Sequence, residues 1–219
     1  MTARTQAVIL IMFGAALVRL SCGDALLNYV RPSARPPVLC AGGVVALLGM
    51  LPLCRAVSSR RPSRAAWLVL LPVVAVAVVA PPPLGVLTAA RPPSRPPRPG
   101  HAFAPLPAGN PVHVALIDVV LRAVWDHGRT LRGHELQVVG FVARTSGAGF
   151  VLTRLVITCC AADAVPYDIE IRTNEAAPPQ GQWVAVTGTY DGMSPADDVV
   201  PALCASAITP IARPANPYG

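Results

Sequence analysis

Residues 150–171 read "FVLTRLVITCCAADAVPYDIEI", and this stretch decides the fold of the second half of the chain. An apolar run ends in two adjacent cysteines, an acid follows three residues after the second cysteine, and a shorter run then alternates acidic and apolar residues. Alternation with a period of two is typical of β-strands. The stretch therefore predicts two strands joined by a short turn that carries two thiols and a carboxylate.

The alternation also predicts where each side chain points. If 150–160 is one strand, a single face carries Val151, Thr153, Leu155, Ile157 and Cys159. This face looks like the core face, so we expect Cys159 to point inward as a small buried hydrophobe.

The opposite face predicts a surface pocket. Cys160 would share this pocket with Asp163, and Arg154 would lie on the same face near the thiols. A nearby cation lowers the pKa of a thiol and raises its reactivity, so Cys160 is the better candidate for chemistry.

Three interpretations of the cysteine pair stay open. The cysteines could be packing residues, with one disulfide to Cys204. They could instead hold a divalent metal such as zinc, with Cys160, Asp163 and either Cys159 or Cys204 as ligands. The third interpretation is a redox switch. A direct bridge between adjacent cysteines on a regular strand would require a strained backbone. Histidines that could complete a zinc site are scattered along the linker and the domain: His101, His113, His127 and His134.

The surrounding sequence predicts a small, mainly β domain at residues 112–219. A helix is expected over 110–128, with Asn110 as its cap, Pro111 at its first position and Gly128 at its end. Five stretches with strand character follow: 135–143, 150–159, 167–173, 183–190 and 201–211. Because no helix-length segment separates these strands, we expect a five-stranded OB-like barrel preceded by a helix.

Proline dominates the segment before this domain. Between residues 81 and 111, 11 of 31 residues are proline. Proline fixes φ and lacks a backbone N–H, so the segment is predicted to be a stiff, extended linker.

Residues 1–80 predict a membrane region with three helical spans. The apolar segments are 6–30, 37–53 and 65–80, and the last two are near the lower limit for crossing a bilayer. A cleaved signal peptide is the alternative interpretation of the first segment. Arg19 and Asp24 interrupt that segment, so they either face a partner inside the membrane or lie at its interface.

Charge is divided sharply along the chain. Residues 1–100 hold eleven arginines and one acid, whereas 101–219 hold seven arginines and ten acids. The basic half is the apolar half, so the charge is better explained by membrane orientation than by nucleic-acid binding. The dense arginines of residues 55–64 favour an N-terminus inside the cell and an extracytoplasmic C-terminal domain of a multi-pass cell-membrane protein.

The order of these motifs resembles the YcgQ-type family, described as subunits of a two-component membrane permease complex. The most specific part is 154–163, and the terminal "PANPY" (214–218) supports it. The resemblance implies a multi-pass membrane protein with a soluble C-terminal domain and a larger multi-span permease as partner. Many relatives carry a histidine-rich stretch between the second and third spans. The corresponding stretch here, "CRAVSSRRPSRAA", contains no histidine. The resemblance implies an accessory subunit of such a complex. Phosphate-binding glycine loops and the nucleophile turn of hydrolases are absent from the sequence, so we expect this subunit to be non-catalytic. The alternative is a membrane-anchored metal- or thiol-binding protein without a permease partner.

Overall fold

The structure, a computed structural model, describes residues 3–23, 26–27, 29–54, 85, 89–146, 149–195 and 197–218. The chain forms two compact units, Met1–Pro83 and Leu84–Gly219. The third predicted span at 65–80 and the charged residue Asp24 lie outside the described residues.

The first unit contains two helices, α1 (Ala3–Cys22) and α2 (Arg35–Cys54), with a 3-10 turn at Pro32–Ala34 before the second. The helices pack so closely that a Cβ built on Gly14 would lie 2.6 Å from the carbonyl oxygen of Gly42. Small residues allow apolar helices to approach in this way. Large apolar side chains such as Met12 and Leu47 point outward and are 68% and 61% exposed.

One helix in the described part of the chain, Pro32–Leu51, is long and apolar enough to cross a membrane. The apolar part of α1, Ala7–Cys22, is shorter. At 1.5 Å per residue it measures about 24 Å, less than the hydrocarbon thickness of about 30 Å. The prediction of three spans is therefore wrong.

The second unit contains one α-helix and six strands in its described residues. The helix is α3 (Leu116–Trp125), and it follows the first strand, β1 (Val112–His113). The remaining strands are β2 (Glu135–Ser146), β3 (Gly149–Val156), β4 (Val165–Arg172), β5 (Trp183–Ser194) and β6 (Asp197–Pro210).

The strands form one mixed sheet in the order β1-β2-β3-β4-β6-β5, with a further pairing between β2 and β5. The β1–β2 and β4–β6 pairs are parallel, and the other pairs are antiparallel. Each of the five predicted strand segments overlaps an observed strand, although β3 ends at Val156 and not at residue 159. The predicted five-stranded OB-like barrel is wrong, because the domain has a six-stranded mixed sheet to which β1 contributes a parallel strand.

The predicted start of the helix at Asn110 is also wrong. Val112 and His113 pair with Leu136 and Gln137 of β2. The residues that the cap pattern placed in the first helical turn therefore form strand β1. The helix instead begins after Ala115, whose backbone is extended and whose side chain provides no cap.

Helix α3 covers one face of the sheet and encloses the main core. Its apolar residues Leu116, Val119 and Ala123 are each at most 2% exposed. The sheet contributes fully buried side chains from five strands: Leu136, Val138, Phe150, Leu152, Ile169, Ile171, Val184, Val186 and Leu203.

A second, smaller cluster lies away from α3. Its members are Ala89, Phe141, Ala143, Leu155, Ile157, Ala164 and Tyr218. Strand β3 thus contributes to two cores, and both of its faces are buried. The predicted core face of β3 supplies Leu155 and Ile157 to this second cluster, whereas the main core takes Phe150 and Leu152.

Residues 89–111 of the proline-rich segment lie along the second unit. The indole N–H of Trp125 donates to the carbonyl oxygen of Pro96 at 3.2 Å. The guanidinium groups of Arg95 and Arg98 lie 5.7 Å and 5.6 Å from the Trp125 ring, within cation–π range. Arg95 also pairs with Asp198 at 2.7 Å, so this part of the linker is bound to the domain.

Candidate functional site

The turn after β3 brings together the three predicted donor side chains. We call residues Thr158–Asp163 the dithiol turn. Regular pairing of β3 with β4 ends at the Val156–Val165 pair, and a 3-10 turn at Ala161–Asp163 reverses the chain. Three possible ligand atoms lie within 4.8 Å of one another: the Sγ of Cys159, the Sγ of Cys160 and one carboxylate oxygen of Asp163.

The carboxylate of Asp163 shapes the turn. Its Oδ1 accepts a hydrogen bond from the Thr158 backbone N–H at 2.9 Å, and its Oδ2 accepts one from the Cys159 N–H at 2.8 Å. The Asp163 N–H donates to the Cys160 carbonyl at 3.1 Å and closes the turn from the other side. Hydrogen bonds from backbone N–H groups to a carboxylate are charge-assisted, so the turn is held in shape by the protein alone.

The predicted orientation of Cys159 is wrong. Cys159 is exposed, whereas Cys160 is half-buried. Strand alternation applies only while the strand continues, and β3 ends at Val156. Ile157 is the last side chain buried in the second cluster, and the chain bends before it reaches Cys159.

The Cys159 thiol and the Asp163 carboxylate affect each other's ionisation. Hydrogen bonding to Asp163 and to Cys160 raises the pKa of the Cys159 thiol to about 11. In the reverse direction, hydrogen bonds from the Cys159 side chain and from the Cys159 and Thr158 N–H groups lower the pKa of Asp163. The two sulfurs are 3.6 Å apart. Without a metal, the turn holds one ionised carboxylate and a protonated Cys159 at neutral pH.

The other predicted donors lie elsewhere in the described residues. Cys204 is an exposed free thiol on β6, so no disulfide joins it to the dithiol turn. None of the four histidines belongs to the donor group. On α1, Arg19 is exposed.

Arg154 lies on β3 before the dithiol turn, and its guanidinium is directed to backbone carbonyls. It donates to the Asn216 oxygen at 2.8 Å and to the Val139 oxygen at 3.4 Å, and it lies 5.7 Å from the Trp183 ring. Burial lowers the pKa of this guanidinium below its ordinary value. Arg154 thus fixes the C-terminal tail to the sheet.

The C-terminal tail supports the dithiol turn in a way that strand and turn patterns did not predict. Tyr218 is 4% exposed in the second cluster with Ile157 and Ala164, the residues on either side of the turn. Tyr218 also forms a parallel bridge with Leu155. The terminal "PANPY" was the signal that could have located this support.

Comparison with known families finds a DUF1980 C-terminal domain at residues 119–219. This match fits the YcgQ-type assignment and covers most of α3 and all of β2 to β6. No curated protein matches the chain.

Proposed function

We propose that the C-terminal domain binds a thiophilic metal ion such as zinc at the dithiol turn. The observation that carries this proposal is the set of two sulfurs and one carboxylate oxygen within 4.8 Å of one another. Zinc accepts thiolate and carboxylate ligands and is usually four-coordinate, so the three side chains provide most of a coordination shell. A solvent molecule or a donor from another molecule would complete it.

The hydrogen bonds of Asp163 support the proposal. They fix the turn before a metal arrives, so little backbone ordering opposes binding. The raised pKa of Cys159 means that a metal must displace a proton from this thiol. The neighbouring negative charge that holds this proton would equally attract a divalent cation.

A Co²⁺ titration tests metal binding. The full-length protein in detergent should develop thiolate-to-cobalt charge-transfer absorption at one equivalent, and zinc should remove the signal. A variant with both Cys159→Ser and Cys160→Ser should lose the signal. Cys204→Ser, which removes an exposed thiol outside the turn, is the matched control and should retain it. Equal signals from all three proteins would exclude the dithiol turn as the site.

We also propose that the chain is a non-catalytic accessory subunit of a membrane permease complex, with a larger multi-span protein as its partner. Three observations support this: the apolar helix Pro32–Leu51, the DUF1980 C-terminal domain, and the resemblance of the motif order to permease subunits. The exposed Arg19 on α1 is a charge that a partner helix could pair.

Affinity purification in mild detergent tests the complex. We expect a multi-span protein to co-purify with the chain, and Arg19→Leu to weaken its retention while membrane insertion continues. Recovery of a chain without any multi-span partner, but with metal bound, would instead favour a metal-binding protein that acts alone.

The metal-binding domain is proposed to be extracytoplasmic. Exposed Cys204 offers a natural reporter, because a membrane-impermeant maleimide should label it in intact cells. Labelling that requires permeabilised cells would place the domain on the cytoplasmic side.

A further inference from the structure

Strand β3 separates from β2 before it separates from β4. The last β2–β3 pair is Phe141–Thr153, whereas β3 stays paired with β4 as far as Val156. On the same edge of β2, β1 pairs only with Leu136 and Gln137. The edge of β2 around Val139 therefore lies between β1 and β3, and a groove of about 260 Å³ opens there. We call it the arginine groove.

The walls of the arginine groove are mainly apolar. Side chains from the β1–α3 junction, β2 and β3 contribute Val114, Ile117, Val139 and Val156. Arg154, His113 and Gln137 are its polar members. The described residues place no aspartate or glutamate in its lining, so its only fixed side-chain charge is positive.

Arg154 has unused donors. A guanidinium carries five N–H groups, and two of them bind the carbonyl oxygens of Val139 and Asn216. The Nε atom is buried and has no partner among the described residues. The described residues also give this cation no carboxylate partner. A partly buried charge without a counter-ion is unfavourable, and an anion in the groove would offset it.

We propose that the arginine groove binds a small organic carboxylate with a short aliphatic body. The guanidinium of Arg154 binds the carboxylate, and the valine and isoleucine side chains contact the aliphatic part. A volume of about 260 Å³ is slightly below the roughly 300–1,000 Å³ of typical ligand pockets, which limits the ligand to several carbon atoms. Arginine is well suited to this role because its planar fork matches a carboxylate.

The exposed Ala115 at the rim provides a sharp test. It occupies the N-cap of α3 and forms no side-chain cap. Asparagine and aspartate cap helices about equally well. Ala115→Asn and Ala115→Asp should therefore both fold at least as well as the wild-type domain, while only the aspartate places a negative charge at the groove.

Equilibrium dialysis with radiolabelled hexanoate measures binding. The full chain is held in nanodiscs of zwitterionic lipid, and binding to empty nanodiscs is subtracted. We expect saturable binding of one hexanoate per chain. Ala115→Asp should weaken it about tenfold or more through repulsion at the rim, and Ala115→Asn should leave it within about twofold. Arg154→Gln should abolish it, whereas Arg132→Gln, which removes an exposed arginine outside the groove, should not change it.

Hexanol and hexylamine provide the chemical controls. Both carry the same aliphatic body without a carboxylate, and both should bind at least about tenfold more weakly than hexanoate. Absence of saturable hexanoate binding, equal binding of hexanol, or equal effects of the two Ala115 substitutions would each overturn the proposal. The dithiol turn takes no part in these measurements, so they are independent of metal binding.

Discussion

The arginine groove and the dithiol turn lie at the end of one strand, β3, and their fixed charges are opposite in sign. The groove opens where β3 leaves β2, and its fixed charge is the cation of Arg154. The dithiol turn begins where β3 leaves β4, and its fixed charge is the anion of Asp163. One strand that loses its two partners in succession thus exposes two different surfaces. Both proposed sites therefore lie near the end of β3.

The largest expected effect comes from the cluster beneath the dithiol turn. Ile157 is 3% exposed there, so Ile157→Ala should lower the free energy of unfolding by about 2–5 kcal/mol. It should also weaken metal binding more than hexanoate binding. The half-buried neighbour Val156 lines the groove and is the matched position. Val156→Ala should weaken hexanoate binding more than metal binding. Chemical denaturation and the two binding assays measure these effects. Identical profiles for the two variants would show that the two surfaces are not separable.

A pH series should separate the two surfaces without mutation. Metal must displace the proton of Cys159, whose pKa is raised to about 11, so metal affinity should rise with pH. The proton released by Cys159 alone corresponds to about tenfold per pH unit, so we expect an increase of at least about 100-fold between pH 6 and pH 8. Hexanoate stays ionised over this range, as carboxylates with ordinary pKa values do, so its own ionisation should not make its binding increase with pH. Metal binding that is independent of pH would contradict the role of Cys159.

Asp163→Asn should change the reactivity of Cys159. Hydrogen bonding to the Asp163 carboxylate is the largest cause of the raised pKa of Cys159, so its removal should lower that pKa towards the ordinary value. More thiolate at a given pH gives faster alkylation, on the order of tenfold at pH 8. Iodoacetamide labelling followed by peptide mass spectrometry measures the rate at Cys159, and Cys204 in the same sample provides the internal control. An unchanged alkylation rate at Cys159 would show that the Asp163 carboxylate does not control the reactivity of this thiol.

The smallest expected effect is on stability from the cysteines themselves. Cys159 is exposed and Cys160 is half-buried, so neither contributes much to packing. Cys159→Ser and Cys160→Ser should each change the free energy of unfolding by about 0.5 kcal/mol or less, with the larger loss at Cys160. Thermal melts of the two variants in metal-free buffer measure the difference. A larger loss from Cys159→Ser would contradict its exposed position.

Local patterns predicted the strands and the donor cluster, because both depend on near neighbours along the chain. The alternation in 150–159 located β3, and the spacing of Cys160 and Asp163 placed their side chains in one turn. The same alternation failed at Cys159, since nothing local shows that regular pairing ends at Val156. The pairing partner, Val165, decides where the strand stops.

Long-range pairing explains the other errors. Residues 112–113 have the sequence of a helix start, but β2 provides a strand edge with which they pair. The arginine groove depends on the separation of β3 from β2 after Thr153 and on the return of the C-terminal tail to Arg154. Neither contact leaves a periodic signal in the sequence, so the groove could not be predicted from it.

The contacts of Arg95 and Arg98 with Trp125 have a practical consequence for any attempt to produce the C-terminal domain alone. Sequence composition suggests that a shortened chain could begin after the last proline of the linker. Such a chain would lose the residues that cover one side of α3, including Phe103, whose ring lies 5.2 Å from the buried guanidinium of Arg122. It would also lose Ala89 from the cluster beneath the dithiol turn. Newly exposed apolar and aromatic surface promotes aggregation, so a soluble fragment should keep the proline-rich residues from position 89 onwards.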